Sequence, residues 1–163
     1  MKKFVVPMLF ALAVPFAASA QDAGVAVSPP PVVRTLPAST LVSITPDAEI
    51  SSKKVEVGEK VSFSVVNDVL DGGAVAIPRG SKVNGTITWK TGKAVGGKSG
   101  KFEVNFDSVT VGGRSYAMRG THRQEGKGNT VAAVFATWLV SGRSAVMIPG
   151  QFVNAFTAEP ITY

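Results

Sequence analysis

Apolar residues recur at every second position through much of this chain, and at one point the alternation slips by a single residue. Phe102, Val104 and Phe106 alternate with Glu103, Asn105 and Asp107, but the next apolar residues are Val109 and Val111. Side chains of a β-strand point alternately to its two faces, so a strand running straight through would turn one apolar set into water. A β-bulge near Asp107-Ser108 resolves the conflict by adding one residue to this strand.

The same period of two appears at Val61, Phe63 and Val65, alternating with Ser62 and Ser64. Val83, Ile87 and Trp89 share one face, opposite Asn84, Thr86 and Thr88. Such segments are strands with one face in a core and one in water. Gly112-Gly113 and Asp71-Gly72-Gly73 suit the positive φ angles of tight hairpin turns. The expected fold is mainly β, a small antiparallel barrel or closed sandwich.

One stretch departs from this pattern. In TVAAVFATWLVSG, Val131, Val134, Phe135, Trp138 and Leu139 fall on one helical face, with Asn129 or Thr130 to cap the start and Gly142 to end it. Ala132, Ala133, Ala136 and Val140 make the other face apolar too. A short apolar helix near 130–140 is expected, about 16 Å long and too short to cross a hydrocarbon core of ~30 Å. It suits a plug closing one end of the barrel. The plug is the favoured reading, since an exported domain rarely leaves so many large apolar side chains in water; a membrane or partner contact through Val134, Phe135, Trp138 and Leu139 is the alternative.

The beginning of the chain reads differently again. Lys2 and Lys3 precede an apolar run from Phe4 to Phe16, and Ala18-Ser19-Ala20 forms a small-residue cleavage site. These three regions in order predict a signal peptide over 1–20, cleaved after Ala20. The run is shorter than the ~20 apolar residues a spanning helix needs. Residues 21–35 (QDAGVAVSPPPVVRT) read as a proline-rich linker, and 36–163 as the β domain. The expected location is the periplasm or the outer-membrane surface. The sequence has no cysteine, which removes disulfides, thiolate nucleophiles and cysteine-ligated zinc. The formal charge of +6 falls to +4 without Lys2 and Lys3, a mild bias toward anionic surfaces and not a nucleic-acid signature.

Three stretches resemble one another: LPASTLVSIT at 36–45, IPRGSKVNGT at 77–86 and IPGQFVNAFT at 148–157. Each joins an aliphatic residue and a proline to a small-residue turn and a strand-like tail. Proline suits the edge of a strand because its φ is fixed and it lacks a donor. The third copy has Asn154-Ala155 where the second has Asn84-Gly85, and alanine tolerates positive φ poorly. Asn84-Gly85 is therefore expected inside a strand and not at a hairpin turn.

With SSKKVEVGEKVSFSVVNDV, VAIPRGSKVNGTI, GGKSGKFEVNFDSVTVGGRSYAMRG and IPGQFVNAF, the chain resembles a family of uncharacterised bacterial secreted proteins with Ile-Pro-x-Gly-Thr strand starts. More distantly it resembles the C-terminal β-barrel of the outer-membrane core-complex subunit of type IV secretion systems, through Ile77 to Ser81, Gly85 and the apolar segment at 130–140. That resemblance implies a barrel with an apolar helical insertion reaching the outer membrane.

The motifs that mimic chemistry fail on context. Gly92-Lys93-Ala94-Val95-Gly96-Gly97-Lys98-Ser99 matches a P-loop at every position. A P-loop needs a helix N-terminus behind it to hold phosphate, and here a period-two strand follows. His122, the single histidine, has Glu125 nearby but no nucleophile at a recognisable spacing and reads as a surface-loop residue. Asp68 and Asp71 lack the ligand spacing of a calcium loop and read as a solvated residue and a turn residue. Glu103 and Asp107 on one strand face stand about 13 Å apart, beyond the separation glycosidase carboxylates use. No catalytic, cofactor or metal site is expected. Lys90, Lys93, Lys98 and Lys101 cluster around the glycine loop as candidates for contact with lipid headgroups or acidic polysaccharide. Trp89 beside them either sits at that interface or closes the core.

The function expected is that of an exported cell-envelope protein with a non-catalytic binding or assembly-scaffold role. An accessory component of a secretion or conjugation apparatus is the alternative, and a hydrolase comes third. Envelope proteins and anionic envelope components are the expected partners, with peripheral membrane contact open and no nucleic acid.

Overall fold

Alternation and turn chemistry together produce a chain of short antiparallel strands. The computed structural model describes residues 33–92, 98–126 and 143–163. The signal peptide expected at 1–20, most of the linker expected at 21–35, Lys93, and the helix expected near 130–140 with Val134, Phe135, Trp138 and Leu139 lie outside the described residues.

The strands are β1 (Thr35–Leu36), β2 (Leu41–Pro46), β3 (Ile50–Ser51), β4 (Lys60–Val65), β5 (Val69–Asp71), β6 (Ala74–Ile77) and β7 (Lys82–Thr91). After them come β8 (Lys101–Val111), β9 (Arg114–Arg119), β10 (Thr121–Glu125), β11 (Val146–Met147), β12 (Val153–Thr157) and β13 (Ile161–Thr162). The main sheet has the order β10-β8-β7-β4-β2-β12-β9. β9 also pairs with β8, from Ser108↔Ala117 to Val111↔Arg114, so the ladder returns to its starting strand. β8, β7, β4, β2, β12 and β9 thus form a closed ring of antiparallel pairings in a mainly β fold. β1 pairs with β13, and Arg34 and Tyr163 exchange backbone hydrogen bonds beyond that pair. Ladder-type pairing therefore reaches two residues upstream of Leu36, into the stretch read as linker.

The core takes one face of each strand. Val42 and Ile44 of β2, Phe63 and Val65 of β4, Val83 and Ile87 of β7, and Val153 and Ala155 of β12 are buried. β8 contributes Phe102, Val104, Phe106, Val109 and Val111, the two sets on either side of the slip. The register explains how both sets point inward: Gly85 opposes Phe106 while Asn84 opposes Ser108, leaving Asp107 as the extra residue. The bulge falls where the alternation places it. Phe106 then packs edge-on to Phe63, ring centroids 5.4 Å apart.

Gly85 lies inside β7, as the repeat implies. A Cβ there would come within 2.9 Å of Val104 Cγ1 and 3.0 Å of the Asn105 carbonyl oxygen, so close packing at the bulge requires glycine. In the three repeat copies Ser39, Gly80 and Gly150 each take a positive φ, of 68°, 81° and 90°. These turns are pinned to neighbouring strands. Thr157 Oγ1 accepts from Thr40 N and donates to the Pro37 carbonyl, Gly80 N donates to the Val65 carbonyl, and Gly150 N donates to Thr45 Oγ1. Both diglycine turns form as expected, with Gly72, Gly73, Gly112 and Gly113 all at positive φ.

Candidate binding cleft

A second irregularity, absent from the sequence reading, shapes the outer surface. Ile87 opposes Val104, but Trp89 opposes Glu103, so Thr88 is an extra residue in β7. Side chains beyond Thr88 change faces. Trp89, expected beside Val83 and Ile87, is instead turned outward and is 37% exposed. Lys90 now opposes Phe102 and turns toward the end of the core, with its side chain 25% exposed. Its ammonium donates to the Val55 carbonyl at 2.7 Å and pairs with Glu56 at 2.6 Å.

The outward positions of β7, β8 and β10 form two cross-strand rows, Trp89–Glu103–Arg123 and Thr91–Lys101–Glu125. The Arg123 guanidinium lies 4.4 Å from the centroid of the Trp89 ring, a cation–π stack reaching over Glu103. Lys101 pairs with Glu125 at 2.9 Å and Arg123 pairs with the same oxygen at 3.2 Å. The hydrogen bond from Lys101 holds the Glu125 carboxyl below its usual range; partial burial opposes this, and the charges of Lys101 and Arg123 add to it. Thr88 Oγ1 donates to Glu103.

Trp89, Lys98, Lys101, Arg123 and the carboxylate-bearing Glu125, with Thr91, Ser99 and the backbone of Gly92 and Gly126, line an open cleft of about 530 Å³. Of the lysines singled out by sequence, Lys98 and Lys101 lie in it and Lys90 does not. Gly126 packs against the Arg143 backbone so closely that no Cβ fits, which places the end of β10 beside the residues just before β11. Arg123 and Glu125 join the lysines that the sequence singles out; the period of two through Thr121, Arg123 and Glu125 is the signal that puts them on one face.

The other flagged groups lie elsewhere. β8 follows Ser99, so the P-loop pattern has a strand where phosphate binding needs a helix. His122 is in β10, not in a loop, because its segment pairs with β8; its Nε2 is 3.1 Å from Gln124 Oε1. Asp68 accepts from Arg79 N at 2.6 Å, tying down the Pro78 turn, and Asp71 accepts from the Tyr163 hydroxyl. Asp107, set outward by its bulge, accepts from Lys60 Nζ at 2.9 Å, Asn105 Nδ2 at 3.1 Å, and Thr86 Oγ1. Burial alone would raise its pKa, but these hydrogen bonds and the Lys60 charge outweigh it and leave the carboxyl below 3.8.

No protein-family model and no curated protein matches the chain. Among solved structures it is similar to ComB10 of the Com type IV secretion system of Helicobacter pylori, at 26% identity and a TM-score of 0.35. The likeness covers 48% of this chain and 39% of that one.

Proposed function

We propose that this is an exported cell-envelope protein whose role is binding or assembly scaffolding, and that the Trp89 cleft engages an anionic envelope component. One observation carries the reading. The Thr88 bulge takes a tryptophan that alternation would bury and sets it outward among Lys98, Lys101 and Arg123. An aromatic face beside clustered cations supplies both contact area and charge for an anionic partner. Export rests on the Lys2-Lys3, Phe4–Phe16 and Ala18-Ser19-Ala20 pattern.

The test has two arms. Mass analysis of the protein from the periplasmic fraction should give an N-terminus at Gln21; an uncleaved cytosolic product contradicts export. Purified protein beginning at Gln21 should co-sediment with isolated bacterial envelopes at low salt and be released at high salt, as screened charge pairs require. Lys98→Ala/Lys101→Ala should abolish most of that sedimentation, and unaltered sedimentation contradicts the role of the cleft. Protease treatment of the envelopes separates the alternatives. Loss of binding then favours the secretion-apparatus reading, in which the partner is a protein, and persistence favours an anionic polymer or lipid.

A further inference from the structure

The chemistry around the cleft narrows the class of anion. A tryptophan that anchors a protein in a bilayer projects into the interface, surrounded by apolar or cationic side chains. Around Trp89, Arg123 covers part of the ring, and the described neighbours on the outer face are the polar or charged Thr88, Thr91, Glu103, Lys101 and Glu125. With two acids among them, the described surface around the ring is polar and offers a bilayer interior little to bury. Among the described residues, other exposed large apolar side chains, such as Leu41, Leu70, Ile148, Phe152 and Phe156, lie on or beside other strands.

Beyond the cleft the outer face of β4, β7 and β8 continues as a polar strip. Lys60, Thr86 and Asn105 form one cross-strand row, and Ser62, Asn84 and Ser108 form the next. From Lys101 to Asp107 this strip is roughly 20 Å long at ~3.3 Å per residue. Cations, carboxylates, amides and hydroxyls thus alternate along it, with one aromatic ring at its end. A sugar chain carrying carboxylates presents the complementary set. Its acid groups meet Lys98, Lys101 and Arg123, its hydroxyls meet Glu103, Thr88, Thr86 and Asn105, and an apolar ring face meets Trp89.

We infer that the outer face of β7, β8 and β10 binds an acidic glycan, with Trp89 as the stacking platform and Lys98, Lys101 and Arg123 as the carboxylate contacts. The inference rests on the proposed binding role of this cleft and names its ligand class. The probe is polygalacturonate in affinity gel electrophoresis of the protein beginning at Gln21. Poly-glutamate serves as a polyanion without sugar rings, and phosphatidylglycerol vesicles are tested in parallel by sedimentation. Polygalacturonate should retard the protein at least ~10-fold more strongly than poly-glutamate, because stacking on an aromatic face adds to the charge contacts. Trp89→Ala should remove that difference, and Lys98→Ala/Lys101→Ala should remove most retardation by either polymer. Circular dichroism matching the unaltered protein verifies that the variants fold. Equal retardation by both polymers, or vesicle binding without polygalacturonate retardation, overturns the glycan assignment and leaves the binding role standing. No binding to polymer or vesicle, together with no sedimentation on envelopes, overturns both.

Discussion

The β7–β8 hairpin carries two bulges, and the same device has opposite consequences at its two ends. At Asp107 the extra residue restores phase. Phe106 on one side and Val109 and Val111 on the other all reach the core, while the carboxylate goes outward to Lys60, Thr86 and Asn105. At Thr88 the extra residue breaks phase. It places Trp89 outside and turns Lys90 toward the core end, where its ammonium bonds to the Val55 carbonyl and Glu56. The first bulge serves packing and the second creates a surface. An irregularity that rescues the apolar pattern is explained by the core, whereas one that sacrifices a large aromatic to solvent points to function.

The comparison breaks most visibly through its two aromatic side chains. Phe106→Ala should cost about 3–5 kcal/mol in chemical denaturation, since the ring is fully buried against Phe63. A loss below about 1 kcal/mol would mean that the Asp107 bulge does not seat Phe106 in the core. Gly85→Ala comes next. Its new methyl meets Val104 and the Asn105 carbonyl, for an overpacking cost of about 1–3 kcal/mol, and a neutral result would put the bulge elsewhere.

Trp89→Ala should cost about 1 kcal/mol or less, mainly the loss of the Arg123 stack at a half-exposed site. A cost like that of Phe106→Ala would erase the contrast between the bulges. At Asp107 the effect is small and pH-dependent. Its folded-state carboxyl titrates below the ordinary 3.8, so its contribution is present above that value and is lost as pH falls through the lower folded one. Asp107→Asn should flatten the acid limb of stability below about pH 4, with less than about 1 kcal/mol lost at neutrality, as for exposed ion pairs. An unchanged acid limb would disconnect Asp107 from Lys60 and Thr86.

The two ends also differ in how legible they were. The Asp107 bulge is written into the sequence because Phe106 and Val109 cannot both face inward without it. The diglycine turns are legible because their backbone conformations need glycine, and the Asn154-Ala155 copy of the repeat puts Gly85 inside a strand. Nothing comparable marks Thr88: Val83, Ile87 and Trp89 are in phase, so alternation alone puts all three in the core. The bulge is set by pairing with β8, a tertiary effect no local pattern carries. The Arg123–Trp89 stack is hidden for the same reason, since the two residues meet only once β10 lies beside β8. Closure of the ring of strand pairings rests on Phe156↔Arg119 and Thr157↔Met118, distant pairs with no local signature. The expected helix at 130–140 lies outside the described residues.

Collisional quenching of Trp89 fluorescence tests the central claim most directly. Replacing Trp138 with phenylalanine leaves one indole to report. If the Thr88 bulge turns Trp89 outward, iodide quenches a red-shifted emission in the folded protein, and Arg123→Ala makes the ring more accessible. A blue-shifted emission that iodide cannot reach would place Trp89 with Val83 and Ile87 in the core, and would contradict both the bulge and the cleft.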